Sequence, residues 1–309
     1  MTLSHHTNSQ TILLLIFCFV DDFIKGIFNN IKFALARPDQ NTPPTKKHNL
    51  SIAEIVALCI FRFFSGIKNW KDFYRHVRSY HAKDFPNLPN YQNFISAANR
   101  LSGFAAILIQ GFMQIFKNGT SVDDKKFTDS TRLPVCEIKR EFSHKVAKNI
   151  ATKSKSTMGW FYGFRLHIIS NELLQILSFK ITTATVDERV ALEMMWKDIF
   201  GMIIADAGYI GKEWKDKAAE LGKNLFTGVR ANMKKIMTEA QHQLFKLRQK
   251  VEIVFSVLKL RFGLVTTLPR PELGYLAHYL WCIAAYQLKK FFELMDKNVE
   301  NTDIAGLLA

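Results

Sequence analysis

The sequence predicts a mixed protein, α+β or α/β, in which a helical first third precedes a five-stranded mixed sheet flanked by helices. From Leu50 onward, apolar residues recur at helical spacing in LSIAEIVALCIFRFFSG. After Gly119 the period changes, and WFYGFRLHIIS alternates apolar side chains with Arg165 and His167, as a half-buried strand does. Further on, MIIADAGY is nearly all apolar, which is typical of a central strand buried on both faces.

Composition limits the class of protein and its partners. The 309 residues, 48% of them hydrophobic, predict one domain of catalytic size and a smaller one. Lys and Arg outnumber Asp and Glu by 42 to 27, and the resulting charge of +15 indicates a polyanionic partner. Nucleic acid is the first candidate and an acidic membrane surface is the second. The cysteines have no zinc or disulfide spacing, so a reducing cytoplasm is expected. They are Cys18, Cys59, Cys136 and Cys282.

Residues 1–49 are predicted to form one helix and a linker. TILLLIFCFV resembles a signal-peptide core, but no Lys or Arg precedes it and Asp21 and Asp22 follow it at once. The run is also too short to span a bilayer. A buried helix that continues to about Phe33 is therefore the preferred interpretation. ARPDQNTPPTKKHN, with three prolines among polar residues, is typical of a linker.

Residues 50–118 are predicted to form a helical DNA-binding region. Ser51 and Glu54 have the spacing of a capping box, and Gly66 ends the first helix. Two further helices are predicted, over 70–81 and 91–117. Between residues 46 and 100, nine basic residues stand against three acidic ones. Positive helices joined by turns suit duplex DNA, and a solvated basic helical bundle is the alternative.

The sheet domain is predicted over 119–295, with 296–309 as a C-terminal tail. Its predicted order is strand, strand, strand, helix, strand, helix, strand, helix. The strands are SVDDKKFTDST, WFYGFRLHIIS, ILSFKITTAT, MIIADAGY and NLFTGVR, and the helices are 187–200, KEWKDKAAELG and LFKLRQKVEIVFSVLKLRFG. A last apolar helix, HYLWCIAAYQLKKFF, is expected to pack on the sheet. Trp160 and Trp281 are expected to be core or sheet residues.

The segment 137–157 carries six basic residues against two acidic ones and few apolar ones. It is predicted to be a mobile loop between two strands. Such a loop could clamp DNA beside a catalytic site, or it could be a solvated charged loop with no such role.

The predicted helix over 244–263 keeps its charged residues on one face. At about 100° per residue, Phe245, Arg248, Glu252 and Lys259 fall within an arc of roughly 60°. An apolar stripe lies directly beside them, so Glu252 is expected at the edge of a buried surface. An ordinary ion pair between Arg248 and Glu252 would explain the spacing as well, at a few tenths of a kcal/mol.

Two aspartates are candidates for the same site as Glu252. Asp129 lies on the first strand, and Asp206 lies at the carboxyl end of the buried strand. Each could simply cap a turn. Together with Glu252 they could instead meet at one edge of the sheet and bind hard divalent cations, which would offset their mutual repulsion. Two Mg²⁺ ions about 3.5–4 Å apart would suit phosphoryl displacement, and His144 and His167 are not expected as ligands of such a site.

Five sequence blocks together resemble the DDE transposases of bacterial insertion sequences, in particular the insertion sequence 982 family. They are DSTRLPVC, GWFYGFRLH, ADAGYIG, TGVRANMKK and LRQKVEIVFSVLK, and with the helical first third the resemblance covers nearly the whole chain in order. The last block is similar to a tyrosine, arginine, glutamate, lysine signature. Phe245 stands where that signature usually has tyrosine, and Arg132 stands where a proline is usual.

The resemblance implies a ribonuclease-H-like fold whose catalytic residues and metal ligands are Asp129, Asp206 and Glu252. It implies two Mg²⁺ ions, for which Mn²⁺ could substitute. A second group of residues would contact DNA phosphates or orient the carboxylates. That group comprises Arg248, Lys259, Phe245, Tyr209, Arg230 and Lys234.

The expected function is that of a DNA transposase that binds the ends of its own element, cleaves them and transfers them to target DNA. We expect it to act in the bacterial cytoplasm, associated with the nucleoid, as a homodimer or higher oligomer on DNA, with no membrane partner. Two alternatives stay open. One is a nuclease of the same fold, and the other is a transposase-derived DNA-binding protein without catalysis.

Overall fold

The computed structural model describes residues 9–30, 50–229, 237–265, 269 and 271–307, except for the side chains of 27–30 and 297–307. Within this part of the chain, six strands and ten α-helices follow one another. The strands are β1 Lys126–Cys136, β2 Thr152–Ser156, β3 Gly159–Ser170, β4 Ile176–Thr183, β5 Gly201–Ala205 and β6 Lys223–Thr227. The helices are α1 Ser9–Asn30, α2 Ile52–Phe64, α3 Trp70–Tyr80, α4 Tyr91–Arg100, α5 Ser102–Asn118, α6 Glu188–Met195, α7 Lys212–Glu220, α8 Glu239–Lys246, α9 Gln249–Ser256 and α10 Glu272–Leu307.

The first two helices pack against each other. Leu13, Ile16 and Val20 of α1 are buried, which confirms the buried first helix. The predicted capping box of α2 is also present, because Ser51 and Glu54 exchange side-chain to backbone hydrogen bonds of 3.1 and 2.6 Å. No helix among the described residues is long and apolar enough to cross a membrane.

The prediction of one helix over 91–117 was wrong, because the chain ends α4 at Arg100 and begins α5 at Ser102. Around the junction, Asn, Ser and Gly are weak helix formers. The Ser102 hydroxyl donates to the Asn99 carbonyl at 2.8 Å, and such bonds compete with the helical ladder. The apolar spacing passes through this break without a change of period, so hydrophobic periodicity alone could not reveal it.

The sheet has the order β4, β3, β1, β5, β6, with β2 beside the first half of β3. β1 pairs antiparallel with β3 and parallel with β5, and β6 runs parallel to β5. This mixed sheet, flanked by helices and preceded by a helical region, confirms the predicted fold class. It has one strand more than predicted. β3 extends beyond β4 at its Gly159 end, and β2 pairs with the edge left free there.

The segment 137–157 is therefore not one loop, and this prediction was wrong. It contains a 3-10 helix over Ile138–Ser143 and the strand β2. The strand's sequence, TKSKS, has no apolar face and was not recognised for that reason. Its pairing with β3 determines its structure, and the two strands form a hairpin whose turn holds Thr157 and Met158.

The helix predicted over 244–263 is also interrupted. The amides of Leu247 and Arg248 bond to carbonyls three residues back, which ends α8 and tightens the backbone before α9. After α9 the chain forms a π-helical turn, Val257–Arg261, closed by the bond from the Phe262 amide to the Val257 carbonyl. Arg248 thus lies at the junction between two helices rather than inside one.

The long helix α10 packs on both parts of the molecule. Trp281 is fully buried and donates from Nε1 to the Ala98 carbonyl of α4 at 3.0 Å. On the sheet side, Gln287 bonds to both backbone groups of Ile176 in β4. The predicted packing of this helix on the sheet is confirmed, and so is the core position of Trp281. Nearly all of the buried apolar residues form one cluster from α1 to α10, while the predicted domain boundaries stay predictions.

Candidate active site

Sheet register brings Asp129 and Asp206 to the same level. β1 and β5 are parallel neighbours, with Phe127 opposite Ile204. Asp129 follows Phe127 by two residues on β1, and Asp206 follows Ile204 by two residues just past β5. Because side chains two residues apart in a strand point to the same face, both carboxylates lie above the same edge of the sheet.

A tight turn fixes Asp206. Its backbone is extended and its Oδ1 accepts a hydrogen bond from the Gly208 amide, which caps the short turn Ala207–Tyr209. A Cβ at Gly208 would lie 2.8 Å from Asp206 Oδ1 and 3.0 Å from Glu188 Oε2. A side chain at position 208 would therefore displace one or both of these carboxylates.

Glu252 reaches the site from α9, which packs against β1. The side chain of Arg248 lies between this helix and the sheet. Its Nη1 donates to Asp129 Oδ2 at 3.0 Å, and its Nη2 donates to Glu252 Oε1 at 2.9 Å. The ordinary ion pair that the spacing allowed is thus present, and the same guanidinium also joins the acid of the helix to the acid of β1.

Burial sets the acidity of Asp129. Its side chain is 20% exposed, and burial raises its pKa to about 6. The hydrogen bond from the Ser130 amide and the charge of Arg248 lower the pKa, while Asp206 and Glu188 raise it further. Glu252 is far more open, with 53% of its side chain exposed.

Sequence reasoning missed the role of three residues at this site. Glu188, the first residue of α6, accepts at Oε1 from Ser130 Oγ at 2.6 Å and from Arg165 Nη1 at 2.7 Å. It therefore adds a fourth carboxylate close to Asp129. The alternation of β3 did reveal Arg165 as a polar strand residue, but nothing in the sequence identified its partner 23 residues away.

The other predicted site residues take several positions. Lys259 lies beside the acids and donates from Nζ to Thr131 Oγ1, and its pKa is lowered by burial and by Arg132. Tyr209 is fully buried. Of its two predicted roles, it could therefore orient the carboxylates but could not contact a DNA phosphate. Its pKa is raised well above the usual value by burial, and Glu188, Asp129 and Asp206 raise it further.

Phe245 does not line the site. Its ring contacts the position where Gly228 would carry a Cβ, and it lies 5.7 Å from the Arg248 guanidinium. Arg230 and Lys234 lie outside the described residues. His167, which was not expected as a ligand, is buried beside Thr182, and burial lowers its pKa to about 4.

Asp129, Asp206 and Glu252 line one open cavity of about 790 Å³. Five cationic and five acidic side chains share its wall. The cations are Arg132, Lys155, Arg165, Arg248 and Lys259, and the acids are Asp129, Asp187, Glu188, Asp206 and Glu252. The structure thus brings together the three predicted acids and two of the predicted basic residues.

The donor set of this cavity suits a hard divalent cation, because its acids offer only oxygen atoms. Among the described residues, however, no group of three Asp, Glu, His or Cys side chains is arranged to hold an ion directly. Arg248 lies between two of the acids. A cation bound by both Asp129 and Glu252 would therefore compete with the guanidinium of Arg248 for their oxygen atoms.

One protein family matches the part of the chain that forms the sheet. Residues 119–267 match the family described as "Transposase DDE domain", just under half of the chain and the part that holds all three acids. This match indicates that the protein is a transposase. Enzymes with such domains generally act on DNA with divalent metals. The comparison with curated proteins gave no match.

Among solved structures, the chain is similar to one titled "Cryo-EM structure of piggyBac transposase synaptic complex with hairpin DNA (SNHP)". The TM-score is 0.48 at 10% identity, over 94% of this chain and 77% of that one.

Proposed function

We propose that this protein is a DNA transposase that binds the ends of its own insertion sequence, cleaves them by hydrolysis and joins the freed 3′-OH ends to target DNA. The observation that carries the proposal is the convergence of Asp129, Asp206 and Glu252 from β1, β5 and α9 on one cavity. The match to a DDE transposase domain over the same residues supports it. Membership of the insertion sequence 982 family belongs to this proposal, on the strength of the five sequence blocks.

The residues of the cavity divide into two groups by charge. Asp129, Asp206 and Glu252 would hold two Mg²⁺ ions, or Mn²⁺ in their place, and the bound ions would activate the attacking oxygen and stabilise the leaving oxygen. Arg132 and Lys259 lie on the same wall and would orient the scissile phosphate, since cationic side chains form strong charge-assisted hydrogen bonds with phosphate oxygens.

Glu188 would keep this wall in position. It holds Arg165 and Ser130 at hydrogen-bond distance, so this fourth acid would keep the guanidinium of Arg165 beside Asp129. The outward face of α3, with Lys71, Arg75 and Arg78 exposed, would supply contacts to duplex phosphates away from the cavity.

The test uses DNA that carries the sequences flanking this reading frame. Asp129→Ala, Asp206→Ala and Glu252→Ala should each abolish Mg²⁺-dependent cleavage and leave binding of the ends in place, because they remove metal ligands and no base contacts. Asp123→Ala, at an exposed acid outside the cavity, is the matched control and should cleave at the wild-type rate. Cleavage by any of the three site variants would contradict the assignment.

The same assay separates the two alternatives. Cleavage without joining of 3′-OH ends to a second DNA would identify a nuclease. Specific binding with no cleavage in Mg²⁺ or Mn²⁺ would identify a binding protein that has lost catalysis. Light scattering on the protein with DNA ends would test the proposed homodimer or higher oligomer.

A further inference from the structure

The cavity lined by Asp129, Asp206 and Glu252 is called the acid cavity below. A second cavity, of about 960 Å³, lies beside it. We call it the β2–β3 cavity, because the chain before β2 and the first residues of β3 form much of its wall. Arg132, on β1, lines both cavities. A polymer bound in the acid cavity could therefore continue past Arg132 into the second cavity.

Two exposed aromatic rings lie on this surface, one in the wall of the β2–β3 cavity and one linked to it through Lys153. Trp160 lines it and is 55% exposed, and Phe142 nearby is 94% exposed. Lys153 Nζ lies 5.6 Å from the centre of the Trp160 ring and 5.9 Å from that of the Phe142 ring. Trp160 is a sheet residue, as expected, but its exposure is unusual for a tryptophan, because leaving so large an apolar surface in water is unfavourable. These rings offer flat faces to a ligand.

The charge of the same surface is strongly positive. Lys139, Arg140 and Lys145 line the cavity together with Arg132, and among the described residues Glu137 is the one acid that lines it. The other nearby acid, Glu141, is engaged by Lys153 at 2.7 Å. Four cations against one acid on the wall favour a polyanion, as in proteins that bind single-stranded nucleic acid with aromatic side chains set in a basic groove.

A histidine with a buried, unpartnered atom also lines this cavity. His144 lines it, and its Nε2 is buried without a hydrogen-bond partner in the described part of the chain. The ring lies between those of Tyr162 and Tyr275, with centroids 6.3 Å from each. A buried polar atom without a partner is costly.

We propose that the β2–β3 cavity and the rings of Trp160 and Phe142 form a subsite for single-stranded DNA that leads out of the acid cavity. The proposal rests on the proposed function for its choice of DNA. Stacking requires unpaired bases, because a duplex hides base faces, and the paired cations and rings match a strand whose phosphates and bases alternate. A site for an acidic membrane surface would use the same cations, but such a site would not distinguish single-stranded DNA from duplex DNA.

The test measures binding of a fluorescein-labelled thymidine oligomer of about 16 nucleotides, and of the matching duplex, by anisotropy in EDTA. Trp160→Ala and Phe142→Ala should each raise the Kd for the single strand about 5- to 140-fold, which corresponds to about 1–3 kcal/mol of stacking. Their Kd for the duplex should change less than twofold. Trp160→Phe, which keeps an aromatic face, should retain most of the single-strand affinity.

Phe200→Ala is the matched control. Phe200 is also about half exposed and has Lys223 Nζ 4.4 Å from its ring centre, but it lines neither cavity. This variant should bind both DNAs like the wild type. Thermal unfolding of each variant would show that the fold is intact, as expected for exposed side chains.

Three results would overturn the proposal: a single-strand Kd for Trp160→Ala equal to that of Phe200→Ala, the same result for Phe142→Ala, or equal losses of affinity for the single strand and the duplex. None of these results depends on cleavage, because no metal is present. Failure of the proposed function would appear in the cleavage assay instead, so the two failures are distinguishable.

Discussion

Replacing Asp129 with Asn should stabilise the metal-free protein while it abolishes cleavage. Burial raises the pKa of this carboxyl from its ordinary 3.8 to about 6. Ionising it therefore costs more in the folded chain than in the unfolded one. At about 1.4 kcal/mol for each tenfold change in acidity, the cost is about 3 kcal/mol. The neutral amide of the Asp129→Asn variant would avoid this cost. The figure already includes the attraction of Arg248, because that charge lowers the pKa.

The sign of the pH dependence follows from the raised pKa. The folded state holds the Asp129 proton more tightly than the unfolded state does, so the wild type loses stability as pH rises from about 4 through about 6. Asp129→Asn should then exceed the wild type by about 3 kcal/mol at pH 8, and by about half a kcal/mol at pH 4.

Urea unfolding at the two pH values, in EDTA, measures both differences. Asp123→Asn, at an exposed acid, is the control and should leave the free energy of unfolding unchanged at each pH. A variant no more stable than the wild type at pH 8 would refute the reasoning, since it would mean that Asp129 ionises in the folded chain at no cost. An equal gain at both pH values would point to packing rather than charge.

Further predictions concern the neighbours of the acids and the binding of DNA. Arg248→Ala and Lys259→Ala should each slow single-turnover cleavage roughly 10–100-fold, as supporting residues of metal sites do. A wild-type rate, with a loss of at most about 1 kcal/mol in stability, would show that they form only surface ion pairs. Gly208→Ala should abolish cleavage while far-ultraviolet circular dichroism stays native, because its Cβ would lie within 3.0 Å of two carboxylates; full activity would show that the turn adapts. DNA affinity should fall roughly 10³–10⁵-fold between about 50 and 200 mM salt, and a double Lys71→Ala and Arg78→Ala variant should reduce the salt slope by about 2. A flat salt response would favour an uncharged mode of binding.

The elements that could be predicted from the sequence are those whose signal is local. The capping box of α2 lies within four residues, and the alternation of β3 and the apolar run of β5 record how many of their faces are buried. Both aspartates of the site followed from this reasoning, because each is tied to the position of its own strand.

The features that could not be predicted depend on distant partners. β2 has no apolar pattern and exists because β3 has a free edge. Glu188 contributes to the site only through Arg165 and Ser130 on other elements. The helical spacing of Arg248 and Glu252 allowed for their ion pair, but the contact from Arg248 to Asp129 spans 119 residues. Periodicity records burial, and it does not record which polar groups meet.

Charge balance explains how a chain can hold so many acids together before any cation binds. The five acids of the cavity face five cations. Asp129 and Glu252 share Arg248, and Glu188 is held by Arg165. Two divalent cations would add four positive charges to this balanced wall. The acids that bind the metal would not offset these charges, because the cations of the wall already balance them. The phosphates of a DNA strand would do so. We therefore expect the metal and DNA to bind more tightly together than apart, and by linkage each should raise the affinity for the other by the same factor.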